Sequence, residues 1–398
     1  MTALSLVELF LWLLLAAVVV ALVAHRVGIP DGVVLLALGV ALGFLPVRVP
    51  NVSSQTILLV FLPALLFQAA IRFHVPTLRD ALAPIAVLAV AGVGLSIAII
   101  AFAFSLVLHL PGPTAVVLAA ILSATDPVAV LAIFGRLNVP RRLAMIVEGE
   151  SVFNDGTALV AFNIALAAAA HGGATNPLRG AGEFVLVVLG GVVVGAALGL
   201  AISHAMALTT DHLIEMGLST VAAYGAYLVG DLLHVSPVIA VLAAGIVVGS
   251  YGHRIGMSHR AQTLIVDLWD YLAFLVNSFV FLLMGVAVHQ ANFPAYLVPA
   301  LIAIGLVLAS RGIIVYGLTP LVSRPPLELP ARWRHVIFWG GLRGAVAVAM
   351  ALSLPAALPW RDLLLTATFG VVVFTIFVQG LTTRPLIKWL HIPVAGHD

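Results

Sequence analysis

Cysteine is absent from the 398 residues, which excludes disulfides and thiolate metal sites. Charge is scarce as well. Asp, Glu, Lys and Arg together make up 9% of the chain, where a soluble domain carries about 25%. That is too little polar surface to cover a water-soluble shape, so an ordinary cytosolic enzyme and a disordered regulator are both excluded. Neither sign of charge dominates: the formal net charge is +2, and the basic residues fall in short loops rather than on one patch. A nucleic-acid binder working through a basic face is therefore excluded too. The zinc motif His-Glu-x-x-His and the Gly-x-Ser-x-Gly elbow are missing, which leaves an intramembrane hydrolase without its usual chemistry. A repeated channel filter is missing as well. What the chain has in abundance is apolar residues, 63% of the total, with a mean hydropathy of +1.20.

A helix needs about 20 mainly apolar residues to cross a bilayer. The runs between charged or Pro/Gly-rich breaks predict thirteen spans, at 4–25, 32–46, 55–71, 82–109, 114–135, 141–170, 182–208, 213–232, 236–250, 266–288, 295–318, 334–357 and 361–387. They are continuous, unlike the alternating ten-residue segments of a membrane β-barrel. The first has no basic leader and is followed by Arg26, so it is retained as a span rather than read as a signal peptide. With the N-terminus outside and the C-terminus inside, inner loops and tail hold thirteen Lys and Arg residues; outer loops hold Arg48, Arg179 and Arg361. This bias sets the predicted orientation and favours an odd number of spans. No loop is long enough for a soluble domain, and no regulatory domain is expected after residue 387. The expected fold class is an all-α polytopic membrane protein with one membrane domain over residues 1–398.

A charged side chain at mid-bilayer costs about 2.5–3.5 kcal/mol on insertion scales. Asp126, Glu148, Glu150, Asp155 and Arg343 carry that cost. Arg311, Asp231, Asp267 and Asp270 fall nearer span ends, where snorkelling accounts for them. Asp126 lies in Ser123-Ala124-Thr125-Asp126-Pro127. Pro127 has no N–H for the carbonyl of Ser123, and Asp126 stands where it can cap a second half-helix. The plainer alternative is a proline kink with a self-capping acid.

The sixth span contains Glu148-Gly149-Glu150-Ser151-Val152-Phe153-Asn154-Asp155. Ser151 and Asp155 are i and i+4 and share a face. Glu150 and Asn154 share another, about 100° round. Glu148 lies on the Asp155 face about 10 Å nearer the cytoplasm. The first face offers oxygen ligands to a hard cation, and the second reads as structural. Arg343, in Gly340-Gly341-Leu342-Arg343-Gly344, needs a carboxylate partner if buried. Glu150 is the expected partner because Asp126 and Asp155 are better placed for an ion; an Arg343–Asp155 pair is the alternative. Two interrupted spans, the fifth and the twelfth, point to an inverted-repeat transporter with two crossing broken helices. Gly191, Gly195 and Gly199 form a small-residue stripe that reads as internal packing.

These stretches resemble the monovalent cation:proton antiporters, in the sodium/proton branch. The match is carried by Ala124-Thr125-Asp126-Pro127, Glu150-Ser151-Val152-Phe153-Asn154-Asp155, Gly340-Gly341-Leu342-Arg343-Gly344-Ala345 and Phe374-Thr375-Ile376-Phe377-Val378-Gln379-Gly380, with Arg384-Pro385 after it. A weaker stretch runs from Leu233-His234-Val235-Ser236-Pro237 to Ala243-Ala244-Gly245. The resemblance implies thirteen helices and a homodimer. It also implies an ion-carrying bundle, about 82–170 and 295–387, that moves against a dimerisation scaffold. It places the ion at Asp155, with Asp126, Thr125 and Ser151 beside it, and pairs Glu150 with Arg343. Asn154, where the electrogenic branch has a second aspartate, implies electroneutral one-for-one exchange.

The chain departs from the family pattern at Leu62-Pro63-Ala64-Leu65-Leu66-Phe67-Gln68. Gln68 stands where relatives often have an acid, so it can offer an oxygen but no charge.

The function expected is exchange of Na⁺ or Li⁺ for H⁺ in a multi-pass plasma (inner) membrane of a prokaryote, with Asp155 carrying either ion in turn. Pro127, Asn154, Gln68 and Glu148 support the site, Glu148 either as a cytoplasmic attractor for cations or as a solvated acid neutralising Arg141 or Arg142. A K⁺/H⁺ or mixed-cation exchanger is the alternative on the same fold, and a non-transporting sensor a remote one. No cofactor is expected.

Overall fold

The computed structural model describes residues 3–27, 30–44, 54–170, 177–290, 293–323 and 328–392. Among these the secondary structure is helical and no strand occurs. The helices in chain order are α1 (Ala3–Val27), α2 (Asp31–Gly43), α3 (Ser54–Ile71), α4 (Val75–Val107), α5 (Gly112–Ser123), α6 (Val128–Leu137), α7 (Arg141–Ala170) and α8 (Pro177–Met206). There follow α9 (His212–Leu232), α10 (Pro237–Ile255), α11 (His259–Gln290), α12 (Phe293–Val322), α13 (Ala331–Trp339), α14 (Ala345–Leu352) and α15 (Arg361–Trp389). Among the described residues, eight of these (α4, α7–α12 and α15) are long and apolar enough to cross a membrane by themselves.

The predicted spans reappear with small shifts in their ends; α4 and α11 start earlier than expected, at Val75 and His259. The spans 114–135 and 334–357 are each two rods, as the Asp-Pro and glycine signals require. Helix α5 stops at Ser123, and Ala124 turns to extended backbone at φ −63°, ψ 135°. The chain resumes as α6 only after Pro127, which cannot donate into the preceding turn. The second break lies between Trp339 and Ala345, where three of five residues are glycine.

The two breaks touch. The N–H of Asp126 donates to the carbonyl of Leu342 at 2.8 Å, so each unwound segment meets a backbone group freed by the other. A Cβ on Gly344 would fall inside the Asp126 carboxylate, and only glycine allows this approach.

Around the crossing pack α4, α7, α12 and α15, while α2, α3 and α8–α11 make a second group. Lipid tails are as apolar as leucine, so close packing rather than water exclusion holds such helices together. Gly39 of α2 and Gly285 of α11 lie back to back, each occupying the space a Cβ on the other would need. Gly191, Gly195 and Gly199 of α8 lie against the carbonyls of Ser236, Ala240 and Ala244 on α10. The small-residue stripe is therefore internal packing, as its spacing suggested. The outward faces stay apolar: Trp12, Leu22, Leu186 and Val193 are all exposed, as a lipid-facing surface requires.

Candidate ion site at the crossing of two broken helices

Asp126 stands at the centre of the crossing. Its Oδ1 accepts the N–H of Val128 at 2.9 Å, and its Oδ2 faces the N–H of Ala345 at 3.4 Å. One carboxylate thus meets the first N–H groups of both second half-helices, α6 and α14. These helix ends carry partial positive charge, so they hold an acid in place without needing a basic side chain.

Helix α7 supplies the opposite wall. Asn154 accepts the N–H of Thr125 at 3.0 Å and donates to Thr125 Oγ1 at 2.7 Å and Glu150 Oε1 at 3.0 Å. Thr125 in turn donates to Ser151 Oγ at 2.9 Å. Asn154 therefore splints the unwound backbone of the first break to α7 and joins it to Glu150. These groups are buried, and their mutual bonds meet the demand that buried polar groups be satisfied.

Asp155 is the exception. It is 8% exposed, and its Oδ1 is buried with no hydrogen-bond partner among the described residues. It shares with Asp126, Thr125 and Pro127 the wall of a cavity of about 210 Å³, which extends past Gln68 of α3, Arg72 just beyond its end, Glu148 of α7 and Asn277 of α11. Of the sequence-predicted site residues, Asp155, Asp126, Thr125, Pro127, Gln68 and Glu148 line this space. Ser151 and Asn154 do not; they hold Thr125 from behind.

The expected Glu150–Arg343 pair does not form. Glu150 is clasped instead by Arg311 of α12, whose Nη1 and Nη2 reach Oε1 and Oε2 at 2.6 and 2.8 Å, while Nη2 also donates to the carbonyl of Ile337. Arg311 is itself buried and does not snorkel to a helix end. Two physical features redirect the pairing. Gly341 leaves room for the Arg311 guanidinium, which a Cβ there would strike. Arg343 meanwhile donates through Nε to the carbonyl of Leu122 at 2.6 Å and through Nη1 to that of Gly341 at 2.7 Å. Both carbonyls belong to the breaks, where an unwound helix leaves strong acceptors free. Arg343 thus fastens the two breaks together, and its charge acts on Glu150 and Asp155 without a direct bond.

Three further residues complete the picture, none of them expected at the site from the sequence. Thr375 accepts the backbone N–H of Arg343 at 3.1 Å, and Asn277 lines the cavity. Arg311 was visible as a charge inside an apolar run, but its depth was underrated because the predicted span ended at 318 rather than Val322. Asp270, expected to snorkel near a span end, instead accepts hydrogen bonds from Gln68 and Arg72.

Two broken helices crossing over the half-buried Asp126 and the buried Asp155, within a coat of apolar helices, define a multi-pass membrane protein of the crossed-helix transporter architecture. The chain belongs to the sodium/hydrogen exchanger family: the family model described as "Sodium/hydrogen exchanger, transmembrane" matches residues 13–389. It is 39% identical over 367 residues to a Na⁺/H⁺ antiporter, ApNhaP, of Aphanothece halophytica, covering 91% of this chain and 70% of that one. It is 36% identical over 393 residues to the Na⁺/H⁺ antiporter NhaH of Halobacillus dabanensis, covering 96% of each. The solved structure of the sodium proton antiporter MjNhaP1 from Methanocaldococcus jannaschii at pH 8 superposes with a TM-score of 0.78 at 21% identity, over 97% of this chain and 98% of that one. That likeness confirms the fold expected from the two interrupted spans.

Proposed function

We propose that this protein is a secondary transporter that exchanges Na⁺ or Li⁺ for H⁺, one for one, with Asp155 carrying either ion. The observation that carries this reading is the unpartnered buried Oδ1 of Asp155, a residue that lines a cavity beside Asp126. Asp126, Thr125, Ser151, Asn154 and Glu150 are each hydrogen-bonded to another group, leaving this oxygen for a proton or a hard cation, which favours carboxylate, hydroxyl and carbonyl oxygen. Asp126 and Thr125 share that wall; Ser151 acts on the site through Thr125. The names of the relatives, Na⁺/H⁺ antiporters at 36–39% identity, agree with this choice of ions.

Exchange follows from desolvation. A bare Asp155 carboxylate beside the two breaks is costly to carry through a dry barrier. Loaded with Na⁺ or with H⁺ it is neutral, so the site crosses only when loaded, and a leak of either ion is suppressed. Asn154, holding Thr125 and Glu150 rather than titrating, leaves one carrier acid on α7 and supports electroneutral stoichiometry.

Counting each broken pair as one crossing, the helices make thirteen passes, with the N-terminus outside and the C-terminus in the cytoplasm of a prokaryotic plasma membrane. In that orientation the cavity opens inward past Glu148 and Arg72. The group α4–α7 with α12–α15 is the mobile ion-carrying bundle, slightly larger than the 82–170 and 295–387 expected; α1–α3 and α8–α11 form the scaffold and the homodimer seam.

The test uses proteoliposomes with an acid interior and a pH dye, given Na⁺, Li⁺ or K⁺ outside, with and without a valinomycin/K⁺ voltage clamp. Dequenching by Na⁺ and Li⁺ that ignores the clamp, and that is lost in Asp155→Asn, is the expected result. Proton-coupled sodium flux persisting in Asp155→Asn would remove Asp155 from its role. A K⁺ response would replace Na⁺ as the substrate.

A further inference from the structure

Arg72 places a positive charge in the wall of a cavity that, on the reading above, admits cations. A unit charge a few ångströms from the path repels an arriving cation by an amount that grows as the surroundings dry. The structure shows what restrains it. Gln68 lies in the last turn of α3, and Arg72 follows directly after its end at Ile71. A single carboxylate, Asp270 of α11, accepts from both: Gln68 Nε2 to Oδ1 at 2.8 Å and Arg72 Nη2 to Oδ2 at 2.5 Å. The preceding residue, Trp269, is fully buried; its ring lies 4.6 Å from that of Phe67, and its Nε1 donates to Ser219. The backbone of Asp270 is thereby seated firmly on α3. Glu148 lines the same cavity as Arg72. Arg72 therefore has two acids within its influence, one behind the wall and one in the path.

We propose that Asp270 is a positioning residue for cation entry: it pins Arg72 and Gln68 against α11 and so keeps Glu148 free to receive the incoming ion. Freed from Asp270, Arg72 swings to Glu148, cancels its charge and places a guanidinium in the mouth. The geometry also answers to the uncharged residue at position 68. A neutral amide lets one carboxylate hold two donors, whereas an acid there would repel Asp270 and compete for Arg72. This role rests on the proposed cation exchange.

The experiment measures the cation dependence of proton efflux in proteoliposomes for the wild type, Asp270→Asn, Arg72→Gln and the double variant. Asp270→Asn is expected to raise KM for Na⁺ by about five- to tenfold, the scale of one unit charge close to the path, with kcat little changed. Arg72→Gln is expected to leave KM at or below the wild-type value, and the double variant to match Arg72→Gln. If the ion pair only braces α3 on α11, Arg72→Gln and the double variant will show the same defect as Asp270→Asn, which overturns the proposal. An unchanged KM in Asp270→Asn also overturns it while leaving the exchange reading intact. Wild-type vesicles that respond to no cation would overturn the exchange and this role together.

Discussion

Arg311 grips both carboxylate oxygens of Glu150, at 2.6 and 2.8 Å, across 161 residues of sequence. The pair is buried between α12 and α7, and Asn154 adds a third donor to the same carboxylate. Removing one member of such a pair leaves an uncompensated buried charge, at a cost of about 3–5 kcal/mol, whereas replacing both by apolar residues is often neutral. Glu150→Leu alone and Arg311→Met alone should each lower the thermal unfolding midpoint in detergent sharply. The double variant should recover most of the loss. Midpoints that fall additively would show that the two residues act independently and that the clasp is not what holds α12 to α7.

Gly344 permits the crossing itself. A methyl group there would fall inside the carboxylate of Asp126, so Gly344→Ala must push α14 away or turn Asp126 out of its place between the two half-helices. Relief of that overlap costs about 1–3 kcal/mol or more, and the displaced acid no longer faces the N–H of Ala345. Ion-coupled proton flux should be lost even where the protein still elutes as a single species from a sizing column. Gly305→Ala, at a position with open space around the Cβ, is the matched control and should transport normally. Full activity in Gly344→Ala would show that this approach is not needed.

The breaks were legible in the sequence because their causes are local. Pro127 removes a donor wherever it sits, and three glycines in five residues loosen any helix. The acids of α7 were legible for a similar reason, since i, i+4 spacing sorts Ser151 with Asp155 and Glu150 with Asn154 without knowledge of neighbours. Pairings between helices were not legible. Whether Glu150 meets Arg311 or Arg343 depends on the rotation of α12 and on Arg343 finding the carbonyls of Leu122 and Gly341, which exist as free acceptors only once both breaks have crossed. Asp270 escaped for the same reason: its partners lie some 200 residues away, at separations of 202 and 198. Ser151 was correctly placed near the site but stands behind Thr125 rather than in the cavity.

Asn154 makes three hydrogen bonds: two tie the first break to α7 through Thr125, and the third holds Glu150 on α7 itself. An amide is needed because it both accepts from the Thr125 backbone and donates to Thr125 Oγ1 and Glu150. Asn154→Ala leaves those groups buried without partners, at about 1–3 kcal/mol for each unsatisfied group. Asn154→Asp keeps the acceptor but replaces the donor to Glu150 with a second carboxylate beside it. Both variants should unfold at lower temperature than the wild type, Asn154→Asp the more so at neutral pH and less so in acid, where protonation relieves the repulsion. Thermal unfolding across pH checks this. An Asn154→Asp protein as stable as the wild type at every pH would mean that the splint is dispensable.

If Na⁺ and H⁺ compete for Asp155 alone, each sodium ion that binds must displace one proton. Linkage then fixes the sign and the limit: as pH falls through the range where Asp155 is protonated, apparent KM for Na⁺ rises, approaching about tenfold per pH unit. The rate at saturating Na⁺ should be little affected on the same side, because enough sodium clears the proton from the site. Initial rates measured against Na⁺ at several pH values give the slope. A limiting slope near two would mean that Asp126 releases a second proton, making the acids a coupled pair and the cycle sensitive to membrane voltage. A slope near zero would place proton and sodium on separate groups. The single unpartnered oxygen at Asp155, beside an Asp126 already engaged by the backbone of α6 and α14, favours a slope of one.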